Sequence, residues 1–145
     1  MMETVNIRLL NDNAKVPKKG TEYSAGYDLY SVEETEIKSG ETKLVSTGIA
    51  AEIPNGYFGG VFARSGLAVK EGLRPANCVA VIDSDYRGEI KVPLHNDSKE
   101  DRVITEGERI AQLIIIPFLS VQFNEAETLS ETGRGEGGFG STGKA

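Results

Sequence analysis

Short apolar runs alternate with polar positions along most of this chain, and turn-forming residues separate them. Val5, Ile7 and Leu9 alternate with polar neighbours, the pattern of a half-buried first strand. The stretch from Asn11 to Lys19 reads as a loop, and the aromatic and small-residue run from Tyr23 to Ser31 as a strand. Val32 to Thr42 is charged and turn-rich, which predicts a surface hairpin through Lys38, Ser39 and Gly40. Leu44 to Ile53 reads as one strand ended by Pro54-Asn55-Gly56, and Tyr57 to Phe62 as the next. Ser65 is placed to cap a short helix of Leu67, Ala68, Val69 and Lys70 that Gly72 would end. Val79, Val81 and Ile82 then lead into a cluster of turn formers, Asp83, Ser84, Asp85 and Gly88, and Ile90, Val92 and Leu94 lead out. That predicts a β-hairpin with its tip at the cluster. Cys78 and His95 read as strand residues on either side of it. After a charged loop from Asn96 to Asp101, Val103 to Ile116 is strand-like, and a last strand is predicted through Leu119, Val121 and Phe123.

Many short strands with turn signals between them predict an all-β sandwich or barrel, and a jelly-roll-like arrangement is the expected architecture. No internal repeat is evident. The stretch from Thr132 to Gly143 is too glycine-rich to pack, so a β domain over 1–130 and a flexible arm over 131–145 are expected.

Composition narrows the function. The formal charge of −6 argues against direct nucleic-acid binding, because no broad surface is left to neutralise a phosphate backbone. It leaves room for a small anion held by a few local cations. Cys78 is the only cysteine, so no intramolecular disulfide is possible and a reducing compartment is expected. The first residues show no basic segment leading into an apolar one. The longest apolar run, Ile114 to Leu119, is broken by Pro117. A soluble, cytoplasmic protein without membrane partners is the expectation.

Two stretches carry more than turn chemistry. The predicted hairpin tip adds a ring, Tyr86, and a guanidinium, Arg87, to its two carboxylates, which suits either a reaction site or a solvated turn. The tail sets Arg134 and Phe139 among glycines and hydroxyls. Glycines let backbone amides come close to an anion, and serine and threonine add donors.

Five stretches stand in order: Ala25-Gly26-Tyr27-Asp28-Leu29-Tyr30, Ala63-Arg64-Ser65-Gly66-Leu67-Ala68, Ile82-Asp83-Ser84-Asp85-Tyr86-Arg87-Gly88-Glu89, Gly107-Glu108-Arg109-Ile110-Ala111-Gln112-Leu113, and Arg134 to Gly143. Together they closely resemble the ordered motifs of the homotrimeric dUTPases, from Gly26 to Gly143. The resemblance implies a jelly-roll-like fold and Mg²⁺-dependent hydrolysis of dUTP to dUMP and pyrophosphate. That activity limits uracil incorporation into DNA and supplies dUMP for dTMP synthesis. It also implies a homotrimer with active sites at subunit interfaces, each closed by a C-terminal arm.

Site residues follow from the resemblance. Asp83 matches the water-activating aspartate, since a carboxylate can aim a water at the α-phosphorus and take its proton. Tyr86 matches the ring that stacks on deoxyribose and leaves no space for a 2′-hydroxyl. Asn77 matches the amide that reads the uracil edge, with main-chain groups of Val81, Ile82 and Asp83 completing the readout. Ala80 stands where many relatives have glycine. Lys91 is a further substrate contact, or else a surface strand lysine. Arg64, Ser65 and Gly66 match the phosphate-binding motif, and Gln112 a donor to the phosphate chain. Asp28 matches an aspartate that holds Mg²⁺ through water, with the ion carried mainly by the triphosphate. In the tail, Arg134, Gly140, Ser141 and Thr142 would hold the γ-phosphate and Phe139 would stack over uracil. Asp85, Arg87 and Gly88 are expected to build the turn, Asp85 with a salt bridge. The related dCTP deaminases lack a Gly-Gly-Phe-Gly tail, so Asp83 together with Phe139 argues against them.

Overall fold

A computed structural model describes residues 2–144. It contains twelve strands and one helical turn. The strands are β1 (Asn6–Leu9), β2 (Lys18–Lys19), β3 (Tyr27–Tyr30), β4 (Thr35–Ile37), β5 (Thr42–Ser46) and β6 (Ile49–Glu52). They continue as β7 (Tyr57–Phe62), β8 (Leu73–Pro75), β9 (Ala80–Ile82), β10 (Lys91–Asn96), β11 (Arg102–Ile104) and β12 (Arg109–Pro117). All pairings are antiparallel. The largest sheet has the order β2-β3-β12-β7-β9, and β5-β10-β8 form the next. Two strand pairs, β1-β6 and β11-β4, complete an all-β jelly roll. Among the described residues, no helix is long and apolar enough to cross a membrane.

Alternation explains the core. Along β10, Val92, Leu94 and Asn96 alternate with more exposed residues and are buried, and Val92 and Leu94 share one core with Val45, Ile37, Leu29, Val61 and Leu113. Asn96 is a polar residue in that interior, and its amide is used in full. It donates to Ile37 O and Glu100 O, and its oxygen accepts from the Ser98 amide and hydroxyl. Burying it therefore leaves no bare polar atom.

Several sequence expectations are corrected by the topology. The strands flanking Asp83–Glu89 do not pair with each other: β9 pairs with β7, and β10 with β5 and β8. The stretch is thus a connection between two sheets, and its turn is closed by Tyr86 N–H donating to Asp83 O at 3.1 Å. The predicted hairpin at Lys38–Gly40 has the same fate. Its turn is present, with Glu41 N–H on Lys38 O at 2.9 Å, but β4 pairs with β11 and β5 with β10. Leu44 to Ile53 is two strands, split at Thr47-Gly48 and sent to different sheets. The aromatic run forms a strand only from Tyr27, and Tyr23 lies exposed in a turn. In β1, Ile7 is half-buried but Leu9 is exposed.

The predicted last strand does not form. Leu119, Val121 and Phe123 are exposed, and no strand follows Pro117 among the described residues. Cys78 is not in a strand either; it is exposed in a turn with φ 64°.

The helix lies where the sequence predicts it, at Leu67–Glu71, and ends on Gly72 with φ 70°. Its closing bond, from the Gly72 amide to Leu67 O, spans five residues and is π-type. Ser65 does not cap it: Gly66 precedes the first residue, and no side chain bonds to the free amides.

Candidate active site

The expected site residues fall into three groups in one chain. The first surrounds the connection after β9. Val81, Ile82, Asp83, Tyr86 and Lys91 line one open cavity of about 540 Å³, together with Glu89 and Ile90. Asp83 is exposed at this rim, where water reaches it. β9 is an edge strand, paired only through Gly59–Val61, so one side of its main chain has no strand partner. The Tyr86 ring is held by its hydroxyl, which donates to Glu89 O at 2.7 Å. Arg87 braces the turn by donating to Ser84 O at 2.6 Å and pairing with Glu52 at 3.3 Å. That pairing replaces the salt bridge expected of Asp85, which makes none among the described residues. Asn77 is outside the cavity lining; it sits exposed in the turn that enters β9. Ala80 is buried against β7, opposite Val61.

The second group lies on the outer face of the same sheet. Asp28 stands opposite Gln112, and Gln112 opposite Phe62, so β3, β12 and β7 present one row of side chains. The Asp28 side chain is only 15% exposed and is gripped from two sides. Arg64 Nε lies 3.2 Å from its Oδ1, and Arg109 Nη1 lies 3.6 Å from its Oδ2. Arg64 also donates to Arg109 O at 3.3 Å, which ties the two arginines together. Gln112 donates to Ala63 O at 2.9 Å, and so fastens the end of β7 just before Arg64. Its amide rests on Gly26: a Cβ there would come within 2.1 Å of Gln112 Oε1. Ser65 and Gly66 are exposed beside Arg64 at the start of the helix.

Arg109 is the member of this group that sequence reasoning missed. In a regular strand Arg109 and Gln112, three apart, face opposite sides. A bulge between Arg109 and Ala111 shifts the register, so Arg109 stands opposite Tyr30 on the face that carries Asp28. Its place in the motif Gly107 to Leu113 was the only available signal.

The third group is the tail. Arg134 folds back on its own turn, with Nε donating to Gly137 O at 2.7 Å, and further turns close at Ser141 and Gly143. Phe139 is fully exposed with φ 48°, and Gly140, Ser141 and Thr142 are also exposed.

These groups do not meet within the chain. Ile82 pairs with Gly59, while Arg64 lies beyond the far end of β7. The strand from Gly59 to Phe62 alone, at roughly 3.3 Å per residue, spans about 10 Å, and Arg64 lies two residues further on.

Among the described residues, no three His, Cys, Asp or Glu side chains converge to hold a cation on protein donors alone. Asp28 nevertheless offers hard carboxylate oxygens, the donors that suit Mg²⁺ when substrate phosphates supply the rest. The donor chemistry fits. His95 takes no part: in β10, its Nδ1 shares a hydrogen bond with Thr42 at 2.8 Å and its Nε2 lies 3.5 Å from Asp97. Arg74 donates to that same Asp97, a hydrogen bond that, with the charge beside it, raises the guanidinium pKa above its ordinary value.

The family model for dUTPase matches residues 12–143. The chain belongs to the dUTPase family. It is 51% identical over 140 residues to the deoxyuridine 5'-triphosphate nucleotidohydrolase of Nautilia profundicola, covering 97% of this chain and 99% of that one. It is 48% identical over 144 residues to the enzyme of the same name from Candida albicans, with 98% and 89% covered. Its fold matches a point mutant of the Staphylococcus bacteriophage 80alpha dUTPase bound to dUpNHpp, with TM-score 0.92 at 29% identity and 99% and 100% of the two chains covered. It also matches a mutant dUTPase of phage phi11 of S. aureus, described for the coordination of a structural Mg(II) ion. There the TM-score is 0.83 at 26% identity, with 89% and 100% covered.

Proposed function

We propose that this protein hydrolyses dUTP to dUMP and pyrophosphate, with sites shared between the copies of a homotrimer. The observation that carries the reaction is the cavity after β9, where the Asp83 carboxylate, the Tyr86 ring and the free edge of Val81 and Ile82 face one space. Asp83 orients a water and accepts its proton while the water oxygen bonds to the α-phosphorus. The bond from that phosphorus to the bridging oxygen breaks, and pyrophosphate leaves. Tyr86 presses on the deoxyribose and excludes a 2′-hydroxyl. The edge main chain of β9, with the Asn77 amide, reads the uracil, and Lys91 lies at the same rim.

Arg64, Ser65, Gly66 and Gln112 receive the phosphate chain, with Arg109 held beside them through Asp28. Asp28 would also hold Mg²⁺ through water; when bound, the ion neutralises phosphate charge. Residues 131–145 act as the closing arm, with Arg134, Gly140, Ser141 and Thr142 on the γ-phosphate and Phe139 over the uracil.

The trimer is supported by two observations. The register of β9 on β7 sets the Asp83 group and the Arg64 group toward opposite ends of that strand, at least about 10 Å apart, which suits a triphosphate that takes the second group from another copy. The exposed apolar row Leu119, Val121, Phe123 also calls for a cover that nothing among the described residues supplies. A cytoplasmic setting suits the single free cysteine. There the activity would keep uracil out of DNA and feed dUMP to dTMP synthesis.

A nucleotide panel tests the proposal. Purified protein with magnesium is expected to release pyrophosphate from dUTP rapidly and little from dCTP, dTTP or UTP. An absence of dUTP turnover would overturn the reading, and ammonia release from dCTP would replace it with deamination.

A further inference from the structure

We propose that Gly88 is a positioning residue for sugar recognition, because the Tyr86 ring occupies the space that a side chain at 88 would need. The inference rests on the reading of Tyr86 as the face that meets the deoxyribose. A Cβ built on Gly88 would lie 2.5 Å from Tyr86 Oη, 2.6 Å from Cζ and 2.9 Å from Cε1. Each is closer than van der Waals contact allows. The glycine is not there for its backbone: Gly88 is absent from the positive-φ positions, so an L-residue would fit its main chain. What it supplies is room.

That room sets the ring's orientation. Tyr86 folds back over residue 88, and its hydroxyl donates to Glu89 O at 2.7 Å. The ring thereby becomes one wall of the cavity that holds Asp83 and Lys91, in a residue that stays 44% exposed. The main chain on either side has little freedom to move away. Tyr86 N–H is bonded to Asp83 O at 3.1 Å, and Arg87 is anchored on Ser84 O at 2.6 Å and on Glu52 at 3.3 Å. A methyl at 88 therefore acts on the softest neighbour, the ring, by rotating it and pulling its hydroxyl off Glu89 O. A displaced ring reopens space beside the 2′ position.

The test compares kcat/KM for dUTP and UTP in the magnesium-loaded protein across four variants: Gly88→Ala, Tyr86→Ala, the double variant and Tyr86→Phe. Gly88→Ala is expected to lower the dUTP-to-UTP ratio about tenfold. In the Tyr86→Ala background the same change should alter the ratio by less than about twofold, since there is no ring left to displace. Tyr86→Phe keeps the ring but loses its anchor, and should lower the ratio less, in the same direction. This variant serves if Gly88→Ala fails to fold. An unchanged ratio in folded Gly88→Ala or in Tyr86→Phe, or additive effects in the double variant, overturns the role of Gly88 while Tyr86→Ala still relaxes the ratio. A Tyr86→Ala ratio equal to that of the parent overturns the reading of Tyr86 itself.

Discussion

The two polar groups on the large sheet are held together in opposite ways. In the connection from Asp83 to Glu89, the fixing bonds are mostly local: Tyr86 to Asp83 and Glu89, Arg87 to Ser84. In the group around Asp28, every fixing contact is long-range: Arg64 reaches Arg109 across 45 residues, and Gln112 reaches Ala63 across 49. A locally bonded turn carries its own shape and tolerates the loss of one brace. A carboxylate between two arginines distant in sequence has no local substitute, and removing it strands two cations together. Chemistry at Asp83 should therefore be separable from folding, whereas the Asp28 group should not be.

Three substitutions would break or sharpen that contrast. Asp83→Asn keeps size and shape at an exposed position but removes the proton acceptor. Turnover is expected to fall by about 10²–10⁴-fold while dUpNHpp still binds and the melting temperature holds. A large loss of stability would instead show that Asp83 holds the turn. Asp28→Asn should cost about 1–3 kcal/mol in denaturant unfolding, because the carboxylate that pairs with two arginines is lost from a site only 15% exposed. It should also raise KM for dUTP, as Arg64 and Arg109 lose their common anchor. Stability equal to the parent would remove the distinction between the groups. Arg87→Ala is the smallest: its pair with Glu52 is about half exposed on both sides, so the change should stay under about 1 kcal/mol with turnover near the parent value. A larger loss, read by thermal melting, would mean that the turn depends on Glu52 and is not self-supporting.

The same contrast explains what could be read from the residues in order. Most of the strands, the turns at Pro54–Gly56 and Lys38–Glu41, the helix ended by Gly72 and the motifs were legible, because each depends on spacing of two or four residues or on turn chemistry, whereas β2 formed in a stretch that reads as a loop. Pairing was not. The two predicted hairpins failed because a turn with strands on both sides says nothing about which strand each will join, and here each joined a different sheet. The strand expected through Leu119, Val121 and Phe123 had the right alternation but finds no partner among the described residues. Pattern gives a strand its faces, and only a neighbour gives it its hydrogen bonds.

Alternating hydrophobicity determined an all-β chain, and five short motifs determined its family. Tertiary structure alone decided which residues of those motifs act on one another. A single bulge in β12 turned Arg109 onto the face of Asp28, where a strict two-residue period would have hidden it. The register of β9 on β7 set the Arg64 group and the Asp83 group toward opposite ends of that strand, a placement invisible in the order of residues. Gly88 lies two positions from Tyr86, yet only the folded ring shows why that position holds no side chain. Periodicity is a property of neighbours along the chain, and a site is a property of neighbours in space.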